Sequence, residues 1–209
     1  MFDVVPSEEL AFNFHSGRLC LAFVATVGER WRGNYERLRQ PADLSRWYCE
    51  VGLVDVEIPV ALSGLRAARE VREAINDQAR RAINGRNWSS ADEAVLNAAA
   101  ARPSLVPFLR SGSVTLVPPP GGAEAAALST VARDAIDMFA TVESGRLREC
   151  QSEHCGLLFV DTSRPGKRRW CSSEACGARV RAAAYRQRIA SASRDQRRAR
   201  PPSSASEVS

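Results

Sequence analysis

Four cysteines within 27 residues constrain this chain more than any other feature. The segment CQSEHCGLLFVDTSRPGKRRWCSSEAC covers residues 150–176. Cys150 and Cys155 form one pair, Cys171 and Cys176 the other; four residues lie inside each pair and 15 between the pairs. A module this short cannot bury a core sufficient to hold it folded, so a cross-link has to organise it. The candidates are a metal, a disulfide pair or a thiol switch. The opening MFDVVPSEEL has no basic stretch leading into an apolar one, which argues against a secretory signal. No apolar run reaches about 18 residues, so no membrane span is expected. A cytoplasmic chain is therefore the expectation, and in a reducing compartment clustered cysteines are more often metal ligands than disulfides.

Zinc takes four ligands in a tetrahedron and suits thiolates, and two close pairs joined by a loop supply them. The expected ligands of one zinc ion are Cys150, Cys155, Cys171 and Cys176. His154 adjoins Cys155 and is the alternative ligand at that corner; the equal spacing of the two pairs favours the cysteine. Four thiolates close the site to water, so the metal would be structural and not catalytic. Between the pairs, LLFV reads as a strand, SRPGK as a turn and the residues up to Trp170 as a return strand. After Cys176, GARVRAAAYRQRIAS reads as a helix. The order knuckle, hairpin, knuckle, helix describes a treble-clef or zinc-ribbon-like finger. Cys20 and Cys49 lie in apolar helical contexts and read as buried small hydrophobes.

Charge is concentrated in the same region. Residues 146–200 hold 14 basic and 5 acidic side chains, against 15 and 19 in the rest of the chain; the overall charge is +5. A basic module on a neutral-to-acidic body suggests a polyanionic partner. Arg164, Lys167, Arg168 and Arg169 fall at the expected hairpin tip and return strand. Arg179, Arg181, Arg186 and Arg188 fall on the final helix, flanking a strip of small residues. Such a helix suits the major groove, where arginine meets phosphates and guanine edges. Arg194, Arg197, Arg198 and Arg200 would add phosphate contacts. The competing reading is a solvated basic face or a patch for an acidic protein. Phe159, Trp170 and Tyr185 read as the small core of the finger; an exposed one would admit base stacking on single strands.

The remainder is mainly helical. GRLCLAFVATVGERW places Leu19, Phe23, Val24 and Val27 at helical spacing. PADLSRWYCEVGL starts at Pro41, puts Leu44 and Trp47 on one face and stops at Gly52. Leu65, Ala68, Val71, Ile75, Ala79 and Ile83 make the clearest stripe, ending near Gly85. Ser90 and Glu93 have the spacing of a capping box. SVTLVPPPGG suggests a short strand entering a turn. Leu128, Val131, Ala135, Met138, Phe139 and Val142 share the face of one more helix, from about Glu124 to Val142. The fold class expected is a mainly α N-terminal domain with a short β element, plus the small finger. Catalysis is not expected, since two histidines and unpaired carboxylates offer no recognisable machinery. His15 beside Arg18 is the only suggestion of a small-ligand contact.

CGLLFVDTSRPGKRRWCSSEACGARVRAAAYRQR resembles the CGNR-type zinc finger of bacterial proteins, with Ala178 where that pattern has asparagine. FNFHSGRLCLAFVATV followed by PADLSRWYCEVGLV is similar to the ABATE domain that usually precedes it, with Ala22 and Ala25 where that domain usually has Asp and Asn. The resemblance implies a stress-related transcription regulator that binds DNA. The resulting layout is residues 1–145 as a helical domain for ligand sensing or dimerisation, 146–192 as the finger, and 193–209 as a disordered basic, Ser/Pro-rich tail. DNA, a small-molecule effector and a second copy of the chain are the partners expected, with an acidic protein as the alternative.

Overall fold

The apolar stripes of the sequence become helices packed on one another. The computed structural model describes residues 11–30, 35–141, 145–153 and 155–198. The chain divides into two compact units, residues 1–171 and 172–209.

The first unit opens with α1 (Leu19–Val24), in which every residue after Leu19 is buried. It is shorter than the expected helix because Val27 leaves it for β1 (Val27–Gly28), which pairs antiparallel with β2 (Tyr35–Glu36). Helix α2 (Pro41–Glu50) begins at the expected proline, and the Asp43 Oδ2 accepts from the Gln40 N–H at 3.0 Å to close its first turn. Helix α3 (Leu62–Ile83) buries Leu65, Ala68, Val71, Ile75 and Ala79, five of the six residues of the stripe. No side chain of its own first turn caps it. Glu124 does so from the start of α5 (Ala123–Ala140), where its Oε1 accepts from the Ala61 N–H at 3.2 Å.

Helix α4 (Ser90–Ala100) is capped one residue earlier than the sequence suggests. Ser89, not Ser90, accepts from the Asp92 N–H. The reason is tertiary: the fully buried Gln78 donates to the Ser89 carbonyl at 2.8 Å and accepts from its N–H at 3.1 Å, holding Ser89 extended. Helix α5 buries Val131, Ala135 and Met138, with Leu128 and Phe139 partly covered. Val142, expected on the same face, lies outside the described residues. Phe23, Leu44, Trp47, Tyr48, Ile75, Val131 and Met138 form the centre of the core. Cys20 is fully buried, as expected of a small hydrophobe; Cys49, expected to be buried as well, is half-buried.

A charged cluster crosses this core's edge. Arg72, 3% exposed, forks both carboxylate oxygens of Glu36 at 2.7 Å and also donates to Thr26 and Glu73. Arg30 holds Glu73 from the other side. These residues tie β1 and β2 to α3.

Two hairpins complete the unit. Strands β3 (Val106–Arg110) and β4 (Ser113–Val117) pair antiparallel around a two-residue turn. Ser111 and Gly112 both take positive φ, 48° and 80°, the combination a tight type I′ turn requires. Strands β5 (Leu147–Glu149) and β6 (Leu158–Val160) also pair antiparallel. This hairpin differs from the one expected: LFV pairs with the residues before the first cysteine, not with a return strand ending at Trp170. It packs on the helices, with the Val160 N–H donating to the Ser16 carbonyl and Arg80 paired with Glu149 at 3.0 Å.

The second unit contains one π-helical turn, Ser173–Gly177, and helix α6 (Ala178–Arg198). Ser172 Oγ accepts from the Ala175 N–H at its start. The helix continues past residue 192, where the tail was expected to begin; residues 199–209 and the side chains from 193 lie outside the description.

Candidate metal centre

The sequence around each cysteine explains how the four thiols meet. Cys150 directly follows β5. The Cys150 N–H donates to the Leu157 carbonyl and the Cys155 N–H to the Ser152 carbonyl, which folds 150–157 into a knuckle. Gly156 follows Cys155 directly with φ +65°, a conformation that a side chain would strain. Cys171 is brought back by the segment 161–170, and Cys176 sits in the π-helical turn.

That returning segment is not a strand. Asp161, fully buried, accepts from the Ser163 N–H at 2.9 Å, the Ser163 hydroxyl at 2.6 Å and the Arg168 N–H at 2.8 Å. One carboxylate thus satisfies the donors that a ladder would otherwise use, and Pro165 has none to offer. Burial by itself would raise the Asp161 carboxyl; the Ser163 hydroxyl, the two N–H groups and the Arg168 charge outweigh it and hold it below the usual carboxylate range. Arg146 donates to the carbonyls of Asp161 and Ser163 and closes the loop from outside. The Gln151 N–H then donates to the Arg169 carbonyl at 2.9 Å, bringing Cys171 alongside Cys150. The sequence reading missed Asp161 and Arg146. The signal was there in DTSRPG, where an Asp two residues before a Ser favours a side-chain-held turn.

The Sγ atoms of Cys150, Cys155, Cys171 and Cys176 lie within 4.8 Å of one another. Cys155 and Cys171 Sγ are 3.7 Å apart. Four sulfurs at about 2.3 Å from one tetrahedral ion stand roughly 3.8 Å apart along each edge. A disulfide would require about 2.05 Å, and all six cysteines are thiols. The Cys171 N–H points at Cys150 Sγ at 3.5 Å, the kind of donor that steadies a thiolate. Cys150, Cys171 and Cys176 are buried and Cys155 half-buried. The donor set fits one structural zinc ion held by four thiolates. When bound, the ion supplies a closed cross-link and leaves no position for water or substrate. His154, the alternative at that corner, lies outside the described residues.

The basic residues divide by their surroundings. Arg168 donates to the Cys171 carbonyl and lies over the buried Phe159 ring, so it supports the finger from within. Arg169 donates to Gln151 at 2.7 Å and stacks near Trp170. Arg164 and Lys167 are exposed. In the second unit Arg179, Arg181, Arg186 and Arg188 are all exposed on α6, with Arg181 also donating to the Ser173 carbonyl. Phe159 belongs to the finger's core as expected. Tyr185 does not; it is 59% exposed, and Ile189 is 50% exposed.

His15 and Arg18, the suggested small-ligand contact, have different surroundings. His15 is exposed, and its N–H donates to Asn13. Arg18 bridges α1 to α5 by pairing with Asp134 at 2.9 Å and Asp137 at 2.8 Å. Ala22 and Ala25 are buried. A concavity of about 530 Å³ lies elsewhere in the first unit, walled by Gly64, Ala67, Ala98, Ala99 and Leu128, with Glu70, Arg102 and Glu124 among its lining.

Residues 17–142 match the ABATE family, described as "Putative stress-induced transcription regulator", and residues 146–189 match the CGNR zinc finger. No curated protein matches the chain.

Proposed function

Because the chain belongs to the ABATE family and carries a CGNR zinc finger behind that domain, we propose that it is a cytoplasmic transcription regulator that binds DNA through residues 146–192. The observation that carries this reading is the run of four exposed arginines on α6, Arg179, Arg181, Arg186 and Arg188, directly after the last zinc ligand. Zinc would fix the start of that helix, and the arginines would meet phosphates and base edges. Arg164 and Lys167 would add backbone contacts, while Arg168 and Arg169 would act mainly by holding the finger in shape. Residues 1–145 would serve for ligand sensing or dimerisation. The concavity walled by Gly64, Ala67 and Ala98 supports the sensing role, and its glutamates favour an effector with a cationic or hydrogen-bond-donating group. No described helix is long and apolar enough to cross a membrane.

Two alternatives have their own support. An exposed Tyr185 favours single-stranded nucleic acid, which aromatic rings bind by stacking. A basic face on a closed zinc site also suits docking on an acidic protein. One experiment separates the three: fluorescence anisotropy of labelled duplex and single-stranded DNA across a salt series, with zinc-loaded wild type and Cys171→Ser. The proposal expects duplex binding that falls steeply with salt and is lost in Cys171→Ser. Replacing Arg186 or Arg188 with Gln should lower the slope of log K against log salt by about 0.9 each. Stronger binding to the single strand would shift the reading to Tyr185. No binding to either, with one zinc still held, would leave the protein-docking reading.

A further inference from the structure

The β3–β4 hairpin places an apolar strand edge in solvent. Val106, Phe108 and Val117 lie on one of its faces; Leu109 and Val114, 72% and 68% exposed, lie with Leu116 on the other. Only Leu116 packs against the core. The five exposed side chains, spread over both faces, leave the hairpin apolar on either side of its edge.

The two edges of the hairpin are not equivalent. A two-residue turn makes Arg110 and Ser113 the first hydrogen-bonded pair. By alternation Pro107 then falls in a non-bonded pair, and the N–H it lacks is one that would face outward. Proline thus blunts the β3 edge. On β4 the outward backbone groups belong to Val114 and Leu116. Ser113–Val117 carries no proline and no charge, and among the described residues its backbone makes no hydrogen bond outside the hairpin. An uncharged, apolar, unblunted edge is what a protein leaves when another strand covers it.

We infer that the β4 edge pairs antiparallel with the β4 edge of a second copy, forming a four-stranded sheet β3–β4–β4′–β3′ about a two-fold axis at Thr115. The segment suits itself. With Thr115 opposite its own copy, Val114 lies opposite Leu116 of the copy, and their outward N–H and C=O groups bond each other. The apolar pair sits on one face, and the two Val117–Phe108 faces become continuous on the other. Pairing covers the outward backbone groups and the near flanks of these side chains, and the strand hydrogen bonds hold the register. The pairing closes on itself because each copy spends the edge of this hairpin that proline does not blunt. This deepens, and rests on, the reading of the first unit as a sensing or dimerisation domain; its test uses no DNA, so it can fail while DNA binding stands, or the reverse.

The test is sedimentation velocity on the full zinc-loaded chain from about 1 to 100 μM, with Val114→Pro and a cysteine pair. The 22.8 kDa chain should sediment as a dimer, and Val114→Pro, which removes one outward N–H and no hairpin bond, as a monomer. Thr115→Cys should give a reducible cross-linked dimer on mild oxidation, because Thr115 and its copy form a close non-hydrogen-bonded pair. Val117→Cys, opposite Ser113 of the copy, should cross-link at the wild-type background set by the six native cysteines. Wild type that stays monomeric at 100 μM overturns the inference. So does a dimer in which Thr115→Cys cross-links no better than Val117→Cys, since that places the contact elsewhere. Should Val114→Pro fail to fold by circular dichroism, the cysteine pair decides alone.

Discussion

Single residues set the balance of charge in the helical unit. Glu73 is held by Arg30 and Arg72. Burial alone would raise its carboxyl, but the two guanidinium groups outweigh it and hold it below the usual range. A depressed folded pKa contributes stability that is complete above the ordinary glutamate value, about 4.3. It is lost as pH falls through the folded value. Glu73→Gln should therefore melt below wild type at pH 7, by under about 1 kcal/mol because the carboxylate is half-exposed. The difference should shrink once pH falls below that ordinary value, and paired thermal melts at pH 7 and pH 3.5 read it. A gap that widens on acidification would show that Glu73 acts by packing and not by its charge. The residue pattern made none of this visible: nothing local marks Glu36, Arg72 and Glu73 as partners before α3 and the β1–β2 pair meet.

At the scale of elements, the helices were legible and most of their ends were not. The stripes of α3 and α5 follow from apolar spacing, and Pro41 marked the start of α2. The caps came from elsewhere in the fold. Gln78 selected Ser89 over Ser90, and Glu124 closed the N-terminus of α3 from 63 residues away. A Cβ added to Gly64 would overlap the Glu124 carboxylate, which sets up a coupled pair. Glu124→Ala should cost about 1 kcal/mol as a lost cap. Gly64→Ala should be near neutral alone, since the helix-propensity gain offsets displacement of the carboxylate. In the Glu124→Ala background it should stabilise by about 0.5–1 kcal/mol. Urea unfolding of the four proteins gives the coupling, and simple additivity would remove Glu124 as the cap. In the finger, LLFV was legible as a strand but its partner was not: the Asp161-centred turn consumed the donors of the expected return strand.

For the whole molecule, the zinc centre and the helical core should part on chelation. The core of α1–α5 takes in Leu147, Leu158 and Val160 of the β5–β6 hairpin but none of the four zinc-ligand cysteines, whereas the rest of the finger depends on its cross-link. Chelator should remove one zinc per chain, melt the finger beyond that hairpin at 25 °C and leave most of the helical signal of α1–α5 in far-UV circular dichroism. Complete cooperative unfolding on chelation would mean that the core needs the metal as well. What the sequence alone determined was chemical. The spacing of four thiols, the apolar periods of the helices and the arginine content of the C-terminal segment are local properties, and each carries its own physical consequence. What only the tertiary structure decided was pairing. Which strand LFV joined, which serine capped α4, which arginines were occupied and which edge of the β3–β4 hairpin stayed open all depended on groups distant in the chain. A hydrogen bond or ion pair is fixed by both partners, and one stretch of sequence supplies only one of them.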